Sequence, residues 1–238
     1  MSVIGVCSVK GAPGVTVLAT ALAAHGQSAG AVLIEADAAG GDLALKFGIG
    51  QNPGLAQFAA RARHPAPGRD VLDGLTSRIA SQAFDLVPAP VEPAAVAASL
   101  GALAASPGGL AAAGRRRPLI LDLGRVDPRS PGFALVESCD VLCLVVRGDL
   151  ASLGHAREAT WLAETPGRSG FVLVDTGPYR AHEAADALAL LHLGTVPFGR
   201  RPLTGRRGAR AVGAVWDALS ETNPEPVTAP EPAQVSTR

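Results

Sequence analysis

The sequence predicts an α/β fold: a doubly wound, mostly parallel sheet with helices on both faces. Three observations carry this. Apolar runs, among them Val3 to Val9, Leu119 to Leu121 and Val141 to Val146, read as strands buried on both sides. Ala- and Leu-rich helical stretches alternate with them, as in a parallel sheet. Residues with chemical character, such as Asp37, Asp122 and Asp175, end those strands, where such sheets bind ligands.

Composition agrees. The chain has 238 residues, 47% of them apolar and only 18% charged, against a typical ~25%. One domain over residues 1–220 is expected, with a Pro-rich tail at 221–238 that cannot bury a core and reads as disordered. The formal net charge is zero, so no global attraction to nucleic acid or membrane is implied. Cys7, Cys139 and Cys143 fall in or near apolar runs at no metal-ligand spacing. They read as reduced core thiols of a cytoplasmic protein. No signal peptide, no transmembrane run and no basic amphipathic membrane helix at the C-terminus is expected.

The first strand runs into Lys10-Gly11-Ala12-Pro13-Gly14-Val15-Thr16 and then a helix from Val17 to Ala24. Strand, glycine turn and helix form the setting of a phosphate-binding loop, whose backbone N–H groups converge on anionic oxygens. The general pattern G-x-x-x-x-G-K-[ST] is broken twice, by Val9 and Val15. The second strand, Val32 to Ile34, ends in Glu35 and Asp37, and an Ala/Gly loop and a Leu-rich stretch closing on Phe47-Gly48 follow. Pro53 to Arg63 reads as a short helix opened by proline, and residues 64–81 read as irregular. Ala83 to Pro90 reads as a short edge strand ending in proline, and Pro93 to Ala105 as a helix. Arg115-Arg116-Arg117 reads as a solvated helix end. Leu119 to Leu123 carries Asp122 with Gly124 two residues on, which suits a Mg²⁺-bound water and a close amide beside a γ-phosphate. A strand over 139–147, a helix over Leu150 to Glu164, a strand ending at Asp175, a helix over 180–191, a strand ending at Pro197-Phe198 and a last helix from Leu203 to Leu219 complete the chain.

Taken together, these motifs resemble the ParA/MinD superfamily of dimerising ATPases, and the resemblance spans most of the chain. Its deviant loop K-G-G-x-G-K-[ST] is matched at Lys10, Gly11, Gly14 and Thr16, conservatively at Ala12, and broken at Val15. The resemblance implies a P-loop NTPase-like fold and a nucleotide site of Lys10, Gly11, Ala12, Pro13, Gly14, Val15, Thr16, Gly124, Asp175 and Pro197. It implies Mg²⁺ at Thr16 and Asp122, with Asp37 positioning the attacking water; the plainer alternative for Asp37 is a strand–loop cap. ATP and Mg²⁺ are the implied cofactors, with weak binding and slow or no hydrolysis because Val15 replaces the phosphate lysine. Asp175 stands where the family has an adenine-reading Asn. Lys10 implies a homodimer in which it reaches the partner's nucleotide; the alternative is a contact within its own subunit. The family positions cargo such as DNA, division machinery or pili, often through an adaptor protein, and Asp42-Leu43-Ala44-Leu45 resembles its CpaE/TadZ-like pilus branch. The rival reading is a pseudo-ATPase scaffold. A dinucleotide-binding enzyme is disfavoured, since no G-x-G-x-x-G follows a strand. Arg200, Arg201, Arg206, Arg207 and Arg210 form either a weak non-specific DNA contact or a solvated face.

Overall fold

The computed structural model describes residues 3–11, 14–66, 68–165, 168–198, 203 and 205–222. Ala12, Pro13, Arg200, Arg201 and the tail beyond Thr222 lie outside the described residues. One sheet carries the strands β1 (Val3–Ser8), β2 (Val32–Glu35), β3 (Ser77–Ile79), β4 (Phe84–Val87), β5 (Leu119–Arg125), β6 (Val141–Arg147), β7 (Arg168–Asp175) and β8 (Leu191–Pro197). Their order is β3-β4-β2-β5-β1-β6-β7-β8. All pairings are parallel except β3 with β4.

Alternation along each strand feeds two cores, one on each face. Ile4, Val6, Leu33 and Ile120 pack under α1 (Val15–His25) and α9 (Arg206–Thr222). On α9 the buried residues Gly208, Val212, Val215 and Leu219 make a helical stripe, with Arg206, Arg207 and Arg210 exposed on the other side. Val3, Cys7, Val32 and Ile34 face the second core with α3 (Leu55–Ala62), α4 (Pro93–Ala104), α5 (Pro107–Gly114), α6 (Leu150–Arg157), α7 (Trp161–Glu164) and α8 (Ala181–Leu188). A short α2 (Leu43–Phe47) follows β2. The three thiols are free and buried, and burial pushes their pKa values up, so none is a ready nucleophile. No single described helix is long and apolar enough to cross a membrane.

Four readings of the sequence are corrected. β4 is not the edge strand, because the antiparallel β3 lies outside it. Residues 64–81 therefore include a strand, three residues long. The helix read over Leu150 to Glu164 is two helices, broken between Arg157 and Trp161. Arg117 is not a solvated helix end: its guanidinium pairs with the Asp70 carboxylate.

Candidate functional site

The strand order reverses around β1, whose neighbours are β5 and β6. At the carboxyl ends of β1, β2 and β5 lies a cleft of about 380 Å³. Gly14 enters α1 in the left-handed region, φ 101°, and its carbonyl accepts from the Leu18 N–H at 2.9 Å. Gly11, Gly14, Val15 and Thr16 line the loop side, and Asp37 and Gly124 the opposite side. The structure thus brings together six of the residues chosen from the sequence. Lys10 is exposed in the turn after β1.

Asp122 is placed by alternation. It shares the α1 face with Ile120, and a bulge after it leaves Val6 opposite Asp122 but Cys7 opposite Gly124. That geometry aims the carboxylate at the first turn of α1, where the nearby Thr16 hydroxyl favours its ionised form. The Gly124 N–H donates to Asp122 Oδ1 at 3.2 Å. Gly124 itself has φ 59°, and a Cβ there would overlap the Asp37 carboxylate. Only glycine lets β5 pass this close to the end of β2.

Asp37 accepts from the Ala39 N–H at 2.9 Å and is half-buried. Burial raises its pKa; the Ala39 bond opposes this and the Asp42 charge adds to it. Glu35, the other acid read at the end of β2, is 3% exposed and spends both oxygens on backbone. Its Oε1 accepts from Asp42 and Leu43, at 2.7 and 2.8 Å, and Oε2 from Ala89 at 2.9 Å. It is a structural knot, leaving Asp37 as the carboxylate that lines the cleft.

Burial pushes the Asp122 carboxyl up to about 7, with the nearby Thr16 hydroxyl opposing and the Asp37 charge adding. A hydroxyl and a carboxylate side by side are the hard oxygen donors that Mg²⁺ takes, and a bound cation would hold the carboxylate ionised. These residues fit the ion. Without metal, the folded protein binds a proton at Asp122 that the unfolded chain releases near pH 4. The resulting stability is full below that pH and is lost as pH rises through about 7. In EDTA, Asp122→Asn is therefore expected to melt several degrees above wild type at pH 8 and to show a flatter profile between pH 4 and 7. Parallel profiles for the two proteins would show that Asp122 is ionised throughout.

Val15 is 6% exposed and packs with Leu18, Ile4 and Val6. Its side chain serves the core and offers no charge to a phosphate. Sequence reasoning missed Arg125, having sought a replacement cation only within the loop. Arg125 directly follows Gly124, is exposed, stands opposite Ser8 in the β1–β5 ladder and lines the cleft.

Asp175 and Pro197 face each other in the β7–β8 ladder at the same edge of the sheet, outside the cleft lining. Asp175 is exposed, and Arg207 lies 3.6 Å from it, so the start of α9 and the end of β7 meet. Phe198 follows Pro197, 61% exposed, with the Arg147 guanidinium 5.4 Å from its ring centre.

No family model matches the sequence, and no curated protein matches it. Solved structures do. The ParA family ATPase of Chlorobium tepidum is 21% identical at TM-score 0.67, over 93% of this chain and 95% of its own. The cell-division ATPase MinD of Pyrococcus furiosus is 16% identical at TM-score 0.73, over 92% and 98%. The septum site-determining MinD of Pyrococcus horikoshii, complexed with Mg-ADP, is 17% identical at TM-score 0.69, over 92% and 96%. At such identities the likeness speaks for architecture, and along nearly its whole length this chain has the fold of the ParA and MinD ATPases.

Proposed function

We propose that this protein is a ParA/MinD-type nucleotide-responsive positioning switch that binds MgATP weakly and turns it over slowly or not at all. One observation carries the reading: Thr16 stands beside Asp122 at the mouth of a glycine turn, with Asp37 packed on Gly124 across the cleft. Hydroxyl and carboxylate suit Mg²⁺, the loop amides suit phosphate oxygens, and Asp37 suits a water in line with the γ-phosphate. The MinD with Mg-ADP supports that assignment by its fold. We assign the base to the strand ends beside Asp175 and Pro197, with Phe198 next to them.

The buried Val15 favours slow or absent turnover, a switch in which nucleotide is held and not spent. Calorimetric titration with ATP, with and without Mg²⁺, tests it. Micromolar to millimolar binding that needs Mg²⁺ and disappears in Thr16→Ala supports the site, and absence of binding at millimolar ATP refutes it. Turnover at the pace of an intact ATPase, abolished by Asp37→Ala, refutes only the slow-hydrolysis part.

A homodimer across the loop face, with the exposed Lys10 reaching the partner or its nucleotide, belongs to the same proposal. Sedimentation with MgATP is expected to show a dimer for wild type and a monomer for Lys10→Ala. Monomers in both proteins would end the sandwich arrangement. A MinC:MinD complex is among the similar structures, and an adaptor protein is the kind of partner we propose here. The exposed face of Arg206, Arg207 and Arg210 is the proposed place for weak, sequence-independent contact with duplex DNA.

A further inference from the structure

A second cavity, about 540 Å³, opens at the amino-terminal edge of the sheet. Arg115 and Arg116 stand just before β5 begins, whereas Gly124 and Arg125 line the loop cleft at its far end. The two sites are one strand apart, roughly 20 Å. Small side chains line it, Ala62 at the end of α3, Ala66, Ala105 and Ala112. Gly109 closes it, because a Cβ there would overlap the Ala62 carbonyl, so α5 meets α3 backbone to backbone.

Arg63, Arg69, Arg115 and Arg116 line the walls, and no carboxylate does. Arg116 Nη2 donates to the Gly68 carbonyl at 2.8 Å, a neutral partner. The neighbouring Asp70 is already committed, accepting from Arg117 and from the Leu72 N–H at 3.0 Å. Arg63, Arg69 and Arg115 form no ion pair among the described residues. A chain with zero net charge has enough carboxylates to neutralise such a group, yet places none here. Four like charges around one concavity repel until an anion enters. Guanidinium forks take phosphate oxygens two at a time, and the small apolar lining leaves room for the body that carries them. The volume is that of small-molecule sites.

We infer that this cavity binds a small phosphate-bearing anion, of nucleotide size or less, independently of the phosphate loop. Calorimetry of the full chain with inorganic pyrophosphate at low salt tests this in wild type, Arg69→Ala/Arg115→Ala and Thr16→Ala. Both arginines are exposed, so the double variant should keep the wild-type melting temperature and circular dichroism. Pyrophosphate is expected to bind wild type and Thr16→Ala alike and the double variant about ten- to a hundredfold more weakly. Arg69→Lys/Arg115→Lys should recover part of the loss, keeping charge without the fork. Equal affinity in wild type and the double alanine variant overturns the inference, as does no binding at millimolar pyrophosphate. Loss in Thr16→Ala alone overturns it too, by placing the anion in the loop. Phosphatidylglycerol vesicles that bind wild type and not the double variant, while free pyrophosphate fails, would assign the arginines to a lipid surface and overturn the small-molecule assignment.

Discussion

Glu35→Ala is expected to lower the stability of the folded chain by about 3–9 kcal/mol, since it strips three backbone N–H groups of their acceptor at 1–3 kcal/mol each. The donors of Asp42 and Leu43 open α2, and that of Ala89 ends the segment after β4, so one carboxylate ties three elements together. Asp42 is exposed and regains water, which places the effect at the lower end of that range. For a domain of this size, 3 kcal/mol amounts to a fall of roughly 10 °C in melting temperature. Glu35→Gln keeps Oε1 as an acceptor but can turn an NH₂ group towards the Ala89 N–H, so about half the loss is expected. Thermal melts of the three proteins at one pH check this order. A Gln variant as weak as the Ala variant would show that the charge, and not the acceptor geometry, holds the knot. Asp37 and Gly124 depend on that knot for their positions, so the alanine variant should also lose Mg²⁺-dependent nucleotide binding.

The strand ends were legible because a strand buried on both faces is written as a continuous apolar run, and β1, β2, β5, β6 and β7 are all of that kind. β3 has no such run. Arg78 is exposed at its centre, and its pairing with β4 is a tertiary fact. α5 carries Pro107, Gly108 and Gly109 in its first turn, a composition that argues against a helix. Its packing needs the glycine, because Ala62 occupies the place of a side chain. The break after Arg157 likewise depends on a distant partner, since Trp161 stacks edge-on against Phe133 at 5.3 Å.

The site divides in the same way. Gly14, Thr16, Asp37, Asp122 and Gly124 were legible because their spacing from strand ends is local. Arg117, which lies outside the site, and Arg125, which lines it, were not. The first is defined by Asp70, forty-seven residues earlier in the chain. The second matters only because β5 runs beside β1, bringing Arg125 opposite Ser8 at the start of the loop. Glu35 and Asp37 look equivalent in the sequence. What separates them is where β2 ends: Glu35 is its last residue and meets α2 and the chain after β4, whereas Asp37 lies in the turn beyond it and lines the cleft.

Val15→Lys is expected to tighten MgATP binding about ten- to a hundredfold, the worth of one charge-assisted contact to phosphate. Val15 stands at the first turn of α1, where it both touches the core and lines the cleft. A lysine there can lay its stem over the same apolar atoms and put the ammonium into the cleft. The swap removes a buried branched side chain, so a small drop in melting temperature is expected alongside the gain in affinity. Arg125 already stands on the cleft wall, and in wild type Arg125→Ala should weaken MgATP binding about tenfold. If it substitutes for the missing lysine, the two cations compete for the same phosphate oxygens. Arg125→Ala should then cost much less in the Val15→Lys background, a departure from additivity of more than about 0.5 kcal/mol. Titrations of the four proteins close the cycle. An Arg125→Ala affinity equal to wild type would remove Arg125 from the nucleotide site, and equal losses in both backgrounds would leave it there as an independent contact. A Val15→Lys protein that binds no better than wild type would mean that the loop amides are not aimed at phosphate, and the nucleotide-dependent switch would give way to the scaffold.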